Sequence, residues 1–261
     1  MALSSIRQVN ITLTDAEALA FYGDQVDPHG EVYFGHRAIH DFMSGLPDSI
    51  SSGYSLPNLI PDGAAATAAA SFTGITASEG INKASAANAS VTLPLAAFDL
   101  TTYGTAPSVV IALWVTQTEV VALNQGIIGL AGSSYRQWGL VTDGAGGVKL
   151  IGFGIKGEPT SPALPLAERA LLTIHLNRVS DAVSSVSLYL GAELAVQAAG
   201  TYPLVDVLTP VPAAKSMLLA IGGGFSAGFI GIAHRVEAFQ VSQDFDVVAW
   251  IKTQMALMAA R

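Results

Sequence analysis

Between Ser108 and Gln243 short apolar runs alternate with turn residues and almost no helical periodicity intervenes, a pattern that few folds satisfy. The densest run, Ser108–Thr116, reads Ser-Val-Val-Ile-Ala-Leu-Trp-Val-Thr. Such a near-continuous stretch of β-branched and aromatic residues suits a strand in the middle of a sandwich, covered on both faces. The last run, Gly228–Phe239, alternates instead, so that Ile232, Val236 and Ala238 can share one face while His234, Arg235 and Glu237 fall around the other.

Further strands are predicted at Ala89–Leu93, Ile127–Leu130, Gln137–Thr142, Val148–Gly152, Ala170–Asn177, Ser184–Leu190, Glu193–Ala198 and Met217–Ile221. Asp143-Gly144 is a hairpin signal, because a tight turn there wants positive φ, and Ser180-Asp181 marks a second turn. Strands spaced by turns in this way imply two packed antiparallel sheets. The fold class expected is therefore mainly β, an antiparallel sandwich of jelly-roll type, with short N-terminal helices and a C-terminal helix.

The flanks read differently. Thr14 and Glu17 fit a capping box opening a short helix through Phe21 and Tyr22, and a second helix is predicted from Gly35 to Met43, stopped by Gly45 and Pro47. Asp48–Asn58 is rich in Ser, Gly and Pro and reads as a linker, while Ala64–Ala70 shows no amphipathic stripe and is taken as irregular. The division that follows is an N-terminal docking or assembly segment at 1–55 and a sandwich domain at 56–261. At the end, Val247, Val248, Ile251, Met255 and Met258 recur at helical spacing, with Asp244 or Asp246 placed to cap the start. That predicts a helix over 244–260 acting as a strap on the sandwich.

Composition removes several classes of function. A net charge of −8, with 12 Lys and Arg and no basic run, argues against capture of a nucleic-acid backbone. The chain has no cysteine, which excludes disulfides, thiolate metal sites and a cysteine nucleophile. No signal peptide is expected near Met1, and the uncharged stretch Ser216–Ala233 is broken by glycines into two strands and a turn rather than a membrane span. Charged residues make up only 12% of the chain, so its surface suits packing against other subunits, and a homo-oligomer is expected.

Several pieces in order resemble the concanavalin A-like lectin/glucanase superfamily, in particular its laminin-G-like modules. They are Val109–Val115, Gln137–Val141 with Gly147–Leu150, Leu171–His175 with Val186–Leu190, Leu219–Gly222, and Phe229–Phe239. The resemblance covers about residues 85–243 and implies a jelly roll whose concave face and rim loops bind glycans or proteins. Gly191-Ala192 departs from the Asp-Gly or Asn-Gly that usually follows the Leu-Tyr-Leu strand. The alternating acidic residues of the glucanase branch are also missing. Hydrolysis by paired carboxylates needs two of them about 5–5.5 Å apart on one face, and Glu237 stands without a neighbouring acid.

Candidate residues remain. Tyr135, Arg136 and Trp138 could present an aromatic platform and a planar donor to a ligand, although alternation sets Trp138 beside Leu140 on what reads as the core face. His36 and His40 would share a face of a helix but have no third ligand, so no metal site is expected, and Asp143 is accounted for by its turn. No Gly-x-Ser-x-Gly elbow and no phosphate loop is present, and no cofactor is expected. Phe21, Tyr22, Tyr33, Phe34 and Phe42 make the N-terminal segment suited to docking.

These readings converge on a lectin-like module that is not an enzyme, part of a larger assembly. The expectation is a bacteriophage virion protein, a head decoration or tail fibre component that binds protein partners or surface glycans. The alternative is a free carbohydrate-binding module or a glycan-active enzyme.

Overall fold

The computed structural model describes residues 35–43, 46–60, 62–69, 72–73, 79–83, 91–104, 108–122, 125–132, 135–153, 155, 158–180, 183–201 and 227–259. In chain order these form β1 (His36–Asp41), β2 (Ser49–Ile50), β3 (Ser55–Leu56), β4 (Ala66–Ala68), β5 (Phe72–Thr73), β6 (Ile81–Lys83) and β7 (Val91–Thr92). A short helix, α1 (Leu95–Phe98), and a 3₁₀ turn at Leu100–Tyr103 follow. Then come β8 (Ser108–Gln117), β9 (Gln125–Gly132), β10 (Tyr135–Thr142), β11 (Gly147–Gly152), β12 (Thr160–Ala163) and β13 (Arg169–Arg178). The chain continues through β14 (Val183–Leu190), β15 (Glu193–Thr201), β16 (Ala227–Gly228) and β17 (Gly231–Val241) to the C-terminal helix α2 (Val247–Ala259).

Two sheets face each other. The larger has seven strands in the order β1-β17-β8-β13-β14-β15, with β6 also paired to β17, and the smaller has five, β12-β11-β10-β9-β16. Pairing is antiparallel throughout both except for the short β16–β9 contact. The expected antiparallel jelly-roll sandwich is therefore the observed fold.

All ten residues of β8 are buried, and the reason lies in its two covers. Val109, Ile111, Leu113 and Val115 point into the interior between the sheets, where they meet Trp138, Leu140, Leu150, Leu172, Ile174 and Val236. Val110, Ala112 and Trp114 point the other way and lie under α2, with Leu171 and Phe239 beside them. A strand with apolar partners on both faces has no solvent side to supply polar alternation, which is why Ser108–Thr116 reads as a continuous run.

Helix α2 straps the outer face of the larger sheet, as its periodicity implied. Asp246 caps it: its Oδ1 accepts from Ala249 N at 2.9 Å. The buried stripe is Val247, Trp250, Ile251, Gln254 and Met258, so Trp250 belongs to it and Met255, 39% exposed, does not.

Several local expectations are corrected by tertiary pairing. Gly35–Met43 is not a helix, because His36–Asp41 pairs with β17 as a strand of the larger sheet. Residues 66–68 of the alanine-rich stretch form β4, wedged between β3 and β7, rather than irregular chain. In β17 the register shifts between Ala233 and Arg235, so Ala233 rather than Ile232 joins Val236 and Ala238 in the interior. The β10–β11 turn forms, but its positive φ falls at Gly146, at 88°, and not at Gly144. The predicted helix at 14–22 and strand at 217–221 lie outside the described residues.

Candidate functional site

The residues singled out in the sequence do not converge. Trp138 is fully buried, packs against Phe153 with ring centroids 6.2 Å apart, and donates from Nε1 to the Phe98 carbonyl at 2.9 Å. It is a core residue and not a ligand platform, because the β10 alternation turns it inward with Leu140. Tyr135 and Arg136 sit on the backbone of β10, opposite Gly132 and Ala131, and their side chains lie outside the described residues. Phe42, counted among the docking aromatics, is 1% exposed in the interior and cannot dock to anything. Phe21, Tyr22, Tyr33 and Phe34 lie outside the described residues.

His36 and His40 are on a strand, so the helical spacing that would have paired them does not exist. His36 stacks on Phe239 with centroids 4.5 Å apart and reaches Glu237 Oε2 at 3.4 Å. His40 Nδ1 lies 2.9 Å from the Pro57 carbonyl, and burial lowers its pKa to about 4. Among the described residues no group of three His, Asp or Glu side chains could hold a metal ion. Asp143 Oδ1 accepts from the Ala145 and Gly147 backbone N–H groups at 2.8 and 2.9 Å, which accounts for it as a turn residue.

The larger sheet also brings together polar groups far apart in the chain. Ser108 Oγ and His175 Nε2 share a hydrogen bond at 2.9 Å across 67 residues, and Thr116 Oγ1 and His234 Nε2 share one at 2.8 Å across 118. Burial lowers the pKa of both imidazoles, that of His234 to about 4. Their hydroxyls are buried too, so these pairs lie away from any surface a substrate could reach. Glu237 is also enclosed. Burial works to raise its pKa, but the Arg235 guanidinium 3.5 Å away and His36 outweigh it and hold the carboxyl below its ordinary value.

An open cavity lined by a charged group lies elsewhere, at β1. His36 pairs with Phe239 and Ala38 with Ala238, so Arg37 is the extra residue of a β-bulge. A bulge takes one residue out of the alternation and re-aims its side chain. Arg37 Nη1 donates to Thr102 Oγ1 at 2.8 Å and to the Thr102 carbonyl at 3.1 Å, and approaches the Ala96 carbonyl at 3.5 Å. The guanidinium lies over the Tyr103 ring, 3.8 Å from its centroid. Tyr103 is fixed in turn by donating its hydroxyl to the Ala97 carbonyl at 2.6 Å.

Thus one nitrogen and one face of Arg37 are committed to its support. Nη2 and Nε take no part in those bonds, and among the described residues no carboxylate pairs with the guanidinium. A cavity of about 260 Å³ opens beside it, lined by Arg37, Ala64, Pro94, Ala96 and Ala97. That is below the ~300 Å³ at which pockets begin to enclose drug-sized ligands, so the site suits the end group of a larger molecule. Chemically it offers a planar cation fixed in place beside small apolar side chains, a group whose fork of N–H donors matches carboxylate and other oxyanions. Sequence reasoning missed Arg37 because a bulge leaves no mark in alternation and Thr102 and Tyr103 are remote in the chain.

No family model and no curated protein matches the chain. Among solved structures, Trypanosoma rangeli sialidase superposes on 96% of this chain with a TM-score of 0.56 and 12% identity. A mutant of that sialidase displaying trans-sialidase activity superposes on 85% with a TM-score of 0.58 and 13% identity. This chain spans about a third of the sialidases' length, 37% and 33% of those two chains. The CBM40 of Ruminococcus gnavus IT-sialidase, bound to α2,3-sialyllactose, aligns over 66% of this chain and 96% of its own at a TM-score of 0.46 and 17% identity.

At such identities the likeness establishes the jelly-roll sandwich fold. It also overturns the expectation that the chain is not an enzyme, since the sandwiches it superposes on are parts of sialidases. The reasoning behind that expectation was too narrow. Paired carboxylates are diagnostic for most glycosidases, but sialidases use a tyrosine nucleophile and escape the test.

Proposed function

We propose that this chain is a lectin-like, glycan-binding module that grips an acidic terminal sugar at Arg37. The observation that carries the reading is the bulged guanidinium, immobilised by Thr102 and Tyr103 beside a cavity that Arg37 lines, with Nη2 and Nε outside those bonds. Pre-organisation of this kind lowers the ordering cost of binding. The chain as a whole is acidic, at −8, so long-range attraction does not recruit an anion and selectivity rests on this local donor set. The lining residues Ala64, Pro94, Ala96 and Ala97 are small and leave the cavity open beside the guanidinium.

The test is a glycan array probed with the full chain, covering neutral, carboxylated and sulfated saccharides, with Arg37→Ala and Arg37→Lys alongside. Binding confined to acidic saccharides and weakened on the order of ten- to a hundredfold in Arg37→Ala is expected, the range for a charge-assisted hydrogen-bond pair. Arg37→Lys does not restore it, because an ammonium lacks the planar fork. Equal binding of wild type and Arg37→Ala, or no acidic saccharide bound, ends the reading. The same mixtures are analysed for released free sugar, which tests turnover directly.

A further inference from the structure

Asn58 links two residues that line the Arg37 cavity. Its Oδ1 accepts from Ile39 N and from Ile60 N, each at 3.0 Å, and its Nδ2 donates to the Arg37 carbonyl at 3.2 Å and the Ala64 carbonyl at 3.3 Å. Two acceptor lone pairs and two N–H donors are the full capacity of a carboxamide, and all are used. The arrangement also fixes the amide's orientation, since a flipped group would set its NH₂ against two N–H donors and its oxygen against two carbonyls. Arg37 and Ala64 both line the cavity, so the two Nδ2 bonds tie together two residues of its lining.

The neighbouring chain is shaped to admit this side chain. Gly63 N donates to the Ile60 carbonyl at 2.9 Å, and Gly63 lies close against the Asn58 carboxamide. A Cβ at Gly63 would stand 2.3 Å from Asn58 Nδ2 and 2.6 Å from its Cγ. Glycine is required there because any side chain would drive the carboxamide out of place.

We infer that Asn58, given room by Gly63, is a positioning residue that sets the spacing between Arg37 and Ala64 in the cavity lining, and with it the affinity for an acidic end group. The inference rests on the glycan-binding reading of the same cavity. Asn58 itself touches no ligand and acts through the backbone of Arg37. Asn58→Asp keeps the acceptor for Ile39 and Ile60 but replaces the two donated bonds with repulsion between a carboxylate and two carbonyls. Gly63→Ala displaces the amide with no change of charge, which separates geometry from electrostatics.

The experiment measures the dissociation constant of α2,3-sialyllactose, with lactose as its neutral counterpart, for wild type, Arg37→Ala, Asn58→Asp, Gly63→Ala and the Arg37→Ala/Asn58→Asp double variant. It also measures the rate at which phenylglyoxal modifies Arg37, followed by peptide mass spectrometry in the absence of sugar. Asn58→Asp and Gly63→Ala are each expected to weaken the acidic ligand about tenfold, the upper end for one neutral hydrogen bond, with full binding stoichiometry retained. The double variant is expected to be no weaker than Arg37→Ala, and phenylglyoxal to react faster in both positioning variants. If Arg37→Ala weakens binding but the positioning variants match wild type, or Asn58→Asp keeps its full effect in the Arg37→Ala background, the inference is wrong while the site stands. If Arg37→Ala changes nothing, the site itself falls, and an unchanged phenylglyoxal rate then overturns the role of Asn58 as well.

Discussion

The Arg37 guanidinium lies 3.8 Å above the centre of the Tyr103 ring, on a side chain whose hydroxyl is anchored 2.6 Å from the Ala97 carbonyl. Burial raises the Tyr103 pKa well above its ordinary value, against the opposing pull of Arg37, so the phenol stays neutral and donating. The ring is therefore a fixed neutral platform for a cation.

Tyr103→Phe and Tyr103→Leu separate the two roles of that residue. The phenylalanine keeps the platform and strands the Ala97 carbonyl, so urea denaturation should show a loss of about 1 kcal/mol with sugar binding nearly intact. The leucine removes the cation–π contact, worth about 0.5–2 kcal/mol, and acidic-sugar binding measured by calorimetry should fall several-fold. Equal binding in the two variants would show that the ring does not organise Arg37.

Trp138 tests the assignment to the core. Trp138→Ala empties a fully buried site and should cost about 3–5 kcal/mol in urea unfolding. Trp138→Phe fills most of the space but leaves the Phe98 carbonyl without its donor, for a loss of about 1–3 kcal/mol. A ligand-contacting tryptophan would instead lose binding at constant stability.

Acid should destabilise the sandwich before its carboxylates titrate. His40 and His234 have folded pKa values near 4, against 6.5 for the ordinary group, with burial the main cause in each and Arg169 a further one for His234. Between those values the unfolded chain binds protons that the folded chain refuses. Their contribution is therefore complete above about pH 6.5 and declines as pH falls toward 4. Each is worth about 3 kcal/mol across that window, as an upper figure. Glu237, its pKa lowered, adds a loss in the same direction once the pH drops below the ordinary carboxyl value. Urea midpoints at about pH 7 and about pH 5 should differ, and His40→Gln should shrink the difference; a flat profile would contradict the burial of these rings.

At the C-terminus, Asp246→Ala removes the cap of α2 and should cost about 0.5–2 kcal/mol. Asp244, not bonded to the helix's first turn in the same way, serves as the control, and Asp244→Ala should be close to neutral. Thermal unfolding followed by circular dichroism distinguishes them.

The sandwich was legible because apolar alternation and turn residues report on who faces the interior, and the interior is what the fold is made of. The strap was legible for the same reason: Val247, Ile251 and Met258 recur at the spacing of one helix face. β1 was not, since His36–Asp41 has no strand alternation of its own and is extended only because β17 offers it a partner about 200 residues later, as His36 and Glu237 show with their separation of 201. The site was hidden more deeply. Arg37 matters through a one-residue bulge and through Thr102, Tyr103 and Asn58, none of which a local window can connect to it. The proposed platform of Tyr135, Arg136 and Trp138 drew on what aromatic and cationic residues do at surfaces, and Trp138 lies in the interior instead.

The carboxamide that braces β1 also plugs its rim. At Ile39 the outward amide is taken by Asn58 and the outward carbonyl by Leu59 N at 2.8 Å, whereas β15 ends the larger sheet on the other side. An intruding strand thus finds nothing unmet at Ile39, so the sheet offers it no backbone bond at that point of the rim.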